Sequence, residues 1–302
     1  MFGFLRSRFL SLALLLLVLP GAPLLADYPL ELDSTKRPLL NGRISAVNDI
    51  LLKFRFDSGA SQSVLYETAA FQLLLSNTPY ETRRVFTGNG YKEYPLVRVK
   101  GFEALGLIYD VERTVTLPDP VEKSAVGLLG VDMFQGQIVY LDPGSGRADT
   151  LTQAELNKLG LMEVRGRPVA KGSLAIKIDV GGVDIPALVD TGATNTVMNG
   201  PAKRLIERHL GDGLKRMDGG LRLVIGPITV KSADNYSISK LRIGAQTVTD
   251  FRILQADLPI FTTLGAKNAP AIIMGMDLLG DRAMAFDFKR YRLYLGPPSR
   301  AD

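Results

Sequence analysis

Leu188-Val189-Asp190-Thr191-Gly192-Ala193-Thr194 runs from buried-type aliphatics into a carboxylate, a hydroxyl and a glycine. One Asp-Thr-Gly after a strand is ordinary turn chemistry, the side chain accepting from the backbone two residues on. The same order occurs upstream, however, at Arg55-Phe56-Asp57-Ser58-Gly59-Ala60-Ser61. The match also extends beyond the motif. NDILLKFRFDSGASQSVL (48–65) lies over GGVDIPALVDTGATNTVM (181–198) without a gap, polar turn over polar turn and apolar strand over apolar strand. Farther upstream KRPLLNGRI (36–44) faces GRPVAKGSLAI (166–176), and downstream VGLLGVDMFQGQIVYLDP (126–143) faces AIIMGMDLLGDRAMAFDF (271–288). A repeat longer than its motif fixes architecture, so the chain reads as a diverged duplication.

Each half reads as mostly β: short runs rich in Val, Ile, Leu, Phe and Tyr, separated by Gly, Pro and Asn turns. Strands are expected at 50–56, 96–99, 174–180, 221–225, 241–243 and 291–295. Helices are few: 67–75, 153–159 behind a Thr152 cap, and 201–210. Gly, Pro and charge concentrate over Asp142–Lys171, the natural place for one half to hand over to the other. The expected division is a leader over 1–26, an N-terminal half over 27–148, a linker over 149–166 and a C-terminal half over 167–302.

The leader reading rests on Arg6 and Arg8 ahead of a short apolar run, Phe9 to Leu19, and a Pro20–Ala26 segment of breakers and small residues. That run falls short of the ~20 residues that span a bilayer. Export, cleavage after Ala26 and a bacterial periplasmic location are therefore expected, with no stable membrane insertion. The chain has no cysteine, which rules out disulfides, thiolate metal sites, a cysteine nucleophile and a lipid-modified N-terminus. Net charge is +5, or about +3 without Arg6 and Arg8, and the basic residues are scattered. Neither nucleic acid nor a membrane surface is an expected partner. The sole histidine, His209, lies in an amphipathic helical pattern and reads as a surface residue, so Ser-His-Asp chemistry and histidine-based zinc sites are not expected. No metal or cofactor is expected.

Each acid motif has a companion later in its half: Leu128-Leu129-Gly130-Val131-Asp132 and Ile273-Met274-Gly275-Met276-Asp277. Alone, each companion is a core strand ending in a glycine turn. Together with the paired Asp-Ser/Thr-Gly-Ala strings, they make the chain resemble the aspartic peptidases. Among these it is most similar to retropepsins and their bacterial homologues, with both subunits joined in one chain. The resemblance covers nearly all of the chain after the leader. It implies an all-β bilobal fold with few short helices, in which two retropepsin-like barrel lobes related by a pseudo-two-fold axis flank a cleft. It also implies a monomer that binds an extended polypeptide substrate, catalytic Asp57 and Asp190, and Ser58 and Thr191 bracing the two loops against each other.

Two carboxyls within ~3 Å cannot both ionise, so one holds a proton while the other can activate water. Gly59 and Gly192 are expected where the backbone must approach the acids closely or adopt angles a side chain would prevent. A substrate-covering hairpin is expected at Gly88, Asn89, Gly90 and Tyr91, on the strength of the Asn-Gly pair. The second half has no equally clear tip, with Gly226-Pro227 and Asp234-Asn235 as contenders. The rival to an endopeptidase is a catalytically silent peptide-binding protein on the same scaffold.

Overall fold

The computed structural model describes residues 28–47, 50–75, 77–87, 90–225 and 229–297; the expected leader lies outside them. The described chain is mostly β-strand, with five short α-helices.

Strand Leu52–Phe56 shows why these segments extend. Phe54 and Phe56 are fully buried in the core, and the alternation of side chains sends Arg55 to the opposite face. Strand Val183–Val189 does the same with Ala187 and Val189 inside the core. From Tyr28–Leu32 the pairing passes to Pro38–Ile44, Leu52–Phe56, Gly127–Leu129, Val64–Tyr66, Arg113–Leu117, Gly90–Arg98 and Asn77–Thr87. From Met162–Val169 it passes to Ser173–Val180, Val183–Val189, Ile272–Met274, Val197–Met198, Gln246–Gln255, Thr229–Ile243 and Leu214–Ile225. The sense of each successive pair is the same in both series: antiparallel, antiparallel, parallel, antiparallel, parallel, antiparallel, antiparallel. The second series curls back on itself where Asp179 pairs with Arg242, and in the first Pro38–Ile44 pairs with Phe102–Ala104, the short strand that follows Gly90–Arg98.

A six-stranded antiparallel sheet joins the halves. Its order is Tyr28–Leu32, Arg147–Thr150, Ile138–Asp142, Met284–Asp287, Arg292–Leu295 and Met162–Val169. Three strands come from each side, and the central seam sets Val139 opposite Phe286. Phe56 reaches this seam edge-on, 5.2 Å from Phe134 and 5.4 Å from Phe286 by ring centroids, so one aromatic cluster spans both halves.

The stretch expected to be a linker, 149–166, holds regular structure. Helix Gln153–Lys158 starts on a capping box in which Thr152 and Glu155 satisfy each other's backbone amides, and Met162–Arg165 then pairs with Arg292–Leu295. The helix around His209 runs Gly200–Leu210, capped by the Asn199 side chain, and His209 is exposed as expected.

Thr87 pairs with Gly90, so Gly90 opens the return strand and is not part of the turn. Gly88 and Asn89 lie outside the described residues. In the second half Ile225 pairs with Thr229, while Asp234 and Asn235 pair with Gln255 and Leu254 in mid-strand. The Asp234-Asn235 contender is thus not a tip, because both residues are committed to the ladder. Gly226-Pro227 lies outside the described residues.

Phe56→Ala empties a fully buried site that touches both halves. It is expected to cost about 3–5 kcal/mol of unfolding free energy, read from the urea midpoint. A loss under about 1 kcal/mol would show that the seam does not depend on this ring.

Candidate active site

Each acid stands where its strand stops. The Asp57 amide donates to Leu129 O and the Asp190 amide to Met274 O, both at 3.0 Å, which are the last ladder bonds before the chain turns. The turn then folds back on its own acid: Asp57 Oδ1 accepts from the amides of Gly59 (3.0 Å) and Ala60 (2.9 Å), and Asp190 Oδ1 from those of Gly192 (2.9 Å) and Ala193 (3.1 Å). One oxygen of each carboxylate is thereby fixed by backbone. Both acids keep part of their surface open.

The two loops hold each other. Ser58 Oγ donates to Val189 O (2.8 Å) and accepts from the Thr191 amide (3.1 Å). Thr191 Oγ1 donates to Phe56 O (2.8 Å) and accepts from the Ser58 amide (3.0 Å). Both side chains are 0% exposed, so these four bonds form where water cannot substitute for a lost partner. This is the brace expected of Ser58 and Thr191.

The brace brings the acids together. A methyl group on Gly59 would stand 2.5 Å from Asp190 Cγ, and one on Gly192 would stand 2.4 Å from Asp57 Cγ. Each glycine is pressed against the carboxyl of the other half. Neither has positive φ, so of the two reasons expected for these glycines, close approach is the one that applies. The two carboxyls are thereby brought side by side across the junction. Burial pushes both above the ordinary aspartate range; in Asp190 the charge of Asp57 adds to the rise.

Beneath the loops the companions do more than end a strand. A methyl on Gly130 would meet the Gln62 carbonyl carbon at 2.6 Å, and one on Gly275 that of Asn195 at 2.6 Å, so each glycine lets its strand pass under the acid loop. The Asp132 carboxylate receives the Ser63 amide (2.9 Å) and hydroxyl (2.7 Å), and Asp277 receives those of Thr196 (2.9 and 2.6 Å). The same hydroxyls accept from the Gly130 and Gly275 amides, both at 3.1 Å. Ser63 and Thr196 are supporting residues that motif reading passes over. Their signal was present, since the ungapped match places one over the other six residues past each acid.

The hairpin residues are not drawn into this assembly by any contact among the described residues. Tyr91 is exposed and packs within its own hairpin, edge-on to Phe86 at 5.2 Å with the Arg84 guanidinium 5.0 Å from its ring centroid.

Residues 176–278 match the family model described as aspartyl protease. The match covers about a third of the chain, and over that span the sequence is similar to the aspartyl protease family. It contains Asp190, Thr191, Gly192 and the Gly275–Asp277 companion, while Asp57 lies outside the matched span. A search of curated proteins gives no match. No helix among the described residues is long and apolar enough to cross a membrane.

Thr191→Val keeps the shape of the side chain but leaves the buried Ser58 amide without its acceptor. It is expected to cost about 1–3 kcal/mol, while Thr191→Ser stays within about 1 kcal/mol of wild type. Equal denaturation midpoints for the valine variant and wild type would show that the hydroxyl braces nothing.

Proposed function

We propose that this chain is a single-chain aspartic endopeptidase in which Asp57 and Asp190 together activate a water molecule. The observation that carries the reading is the reciprocal contact of each glycine with the opposite carboxyl, which supports two acids working as one pair. The aspartyl protease match over residues 176–278 supports it from the second half. The matching order of strand pairing supports the first half as a second copy of the same lobe.

With one proton between them, the ionised aspartate takes a proton from the water as its oxygen attacks a peptide carbonyl carbon. The protonated aspartate donates a hydrogen bond to the carbonyl oxygen and stabilises the tetrahedral species. Collapse breaks the carbon–nitrogen bond, and a proton passes from the pair to the leaving amine. No covalent enzyme intermediate forms. An extended polypeptide is the substrate class, read partly by strand-like backbone bonding in the cleft. Both acids lie in one chain, so the reading needs only a monomer. Met1–Ala26 is read as a cleavable export leader, which N-terminal sequencing of the exported protein tests directly.

The decisive assay is cleavage of an unfolded protein by wild type, Asp57→Asn and Asp190→Asn. Each variant should lose at least about 100-fold in kcat/KM while unfolding cooperatively like wild type. A wild type that binds the unfolded chain without cutting it would leave the silent peptide-binding protein standing. Equal cutting by all three proteins would end the enzyme reading.

The pH dependence follows from the raised carboxyls. Rate falls on the acid side as the ionised member gains a proton and on the alkaline side as the pair loses its last one. Both limits lie above those of ordinary aspartates, so the kcat/KM profile should peak between mildly acidic and neutral pH. A maximum below about pH 3 would contradict this.

A further inference from the structure

The matching halves allow the surroundings of the two acids to be compared position by position. Backbone amides, hydroxyl brace and facing glycine agree on both sides, but two residues before the acids the halves part. The first has Arg55; the second has Leu188. Strand alternation places each of these on the same face as its acid, opposite the core residues Phe56 and Val189. Leu188 is buried and brings no charge. Arg55 is 3% exposed, its Nη1 donating to Tyr66 Oη (3.2 Å) and its Nη2 to Asp33 Oδ2 (3.1 Å) and Glu122 Oε2 (2.6 Å). A fixed, buried guanidinium thus lies two residues before one acid of the pair, where the other has an uncharged leucine.

We infer that Arg55 biases the pair so that Asp57 is its ionised member and Asp190 the one that keeps the proton. Arg55 is a positioning residue for the proton, and this assignment rests on the peptidase reading of the pair.

The charges around Asp57 come from several elements. Arg55 lies on its own strand, Arg37 and Asp33 in the turn before Pro38–Ile44, Glu122 in the loop after Arg113–Leu117, Tyr66 on Val64–Tyr66, and Asp190 in the facing loop. Arg37 binds Asp33 Oδ2 (2.9 Å) and Glu122 (3.4 Å), so two cations and two anions form one cluster. Burial opposes ionisation of Asp33, but the Thr35 hydroxyl, the Arg37 and Thr35 amides and the Arg37 charge hold it down at about 2, so it stays an anion. Burial lifts Tyr66 to about 12, so it stays neutral. Among these groups the Arg55 and Arg37 charges favour ionised Asp57 against its burial. Asp190 feels burial and the Asp57 charge upward, opposed by the Gly192 and Ala193 amides.

The test is a carbon-13 NMR titration of protein labelled at the aspartate carboxyls, with Asp57→Asn and Asp190→Asn assigning the two signals. In wild type the Asp57 signal should ionise first and Asp190 should keep its proton to higher pH. Arg55→Leu should raise the lower ionisation by about one pH unit, with the acid limb of kcat/KM following, while Arg55→Lys should keep the wild-type order. Should the leucine variant not fold, Glu122→Gln keeps Arg55, removes a countercharge and should move the lower ionisation down. Asp190 ionising first in wild type would overturn the inference, and so would a lower ionisation that stays put in the folded variants. The titration needs no turnover: an inactive protein with Asp57 ionising first would sink only the peptidase reading, and an active one with Asp190 first only the proton assignment.

Discussion

The structure depends on four buried hydrogen bonds that exchange two hydroxyls between two loops. Ser58 and Thr191 each donate to a carbonyl and accept an amide from the other half. None of the six groups they join can turn to water instead, so the loops can separate only by leaving donors and acceptors unmet in a dry interior. Such a cross-tie does little to hold a fold by total energy. Its effect is to fix the relative position of two backbones, and the position it fixes is hostile: two carboxyls, each pressed on a glycine that could carry no side chain. Burial there raises the ionisation of both acids, and the Asp57 charge adds to the rise in Asp190.

The rest of the architecture stiffens that junction. The six-stranded sheet takes three strands from each half and meets at Ile138–Asp142 against Met284–Asp287. Phe56, one residue before the acid, packs on Phe134 from its own half and Phe286 from the other, and its carbonyl receives the Thr191 hydroxyl. A single residue thus joins the core to the brace. Under each loop, Asp132 with Ser63 and Asp277 with Thr196 tie the acid turn to the strand that passes below it. The positions of the two carboxyls are set by strands and buried polar contacts, the kind of support that a site tolerating little misplacement requires.

Much of this was legible because the chain states it twice. The gapless match of 48–65 with 181–198 isolates the acids, the brace hydroxyls and the glycines, and Val, Ile and Phe alternation marks the strands. What stayed hidden belongs to physics that spacing does not encode. Gly130 and Gly275 read as turn glycines, because a strand passing beneath a loop is a long-range event. Ser63 and Thr196 were aligned but mute, since a hydroxyl declares its role only when its partner, some seventy to eighty residues away, arrives beside it. Asp234-Asn235 carried turn chemistry yet lies in a ladder, where pairing with Gln255 and Leu254 overrides local preference. The stretch at 149–166 looked like a tether by composition, but its Thr152–Glu155 box and the sheet's need for a sixth strand gave it structure.

Joining two matching halves in one chain has a consequence that symmetry would forbid. In an assembly of identical subunits every charge near one acid is copied beside the other, so the pair has no static reason to place its proton on either side. Here the halves are free to differ, and one difference falls next to the acids while the brace stays matched. The first half carries a buried arginine two residues before its acid and the second a leucine. Farther out, the first hairpin is built from strands of 11 and 9 residues and the second from strands of 12 and 15. On the proposed peptidase reading, a lasting electrostatic tilt across the pair would give water activation and carbonyl polarisation to different carboxyls before any substrate arrives. On that reading it would also give substrate binding a direction, because a peptide bound one way would present its carbonyl oxygen to the protonated acid, whereas in the reverse sense it would face the charged one.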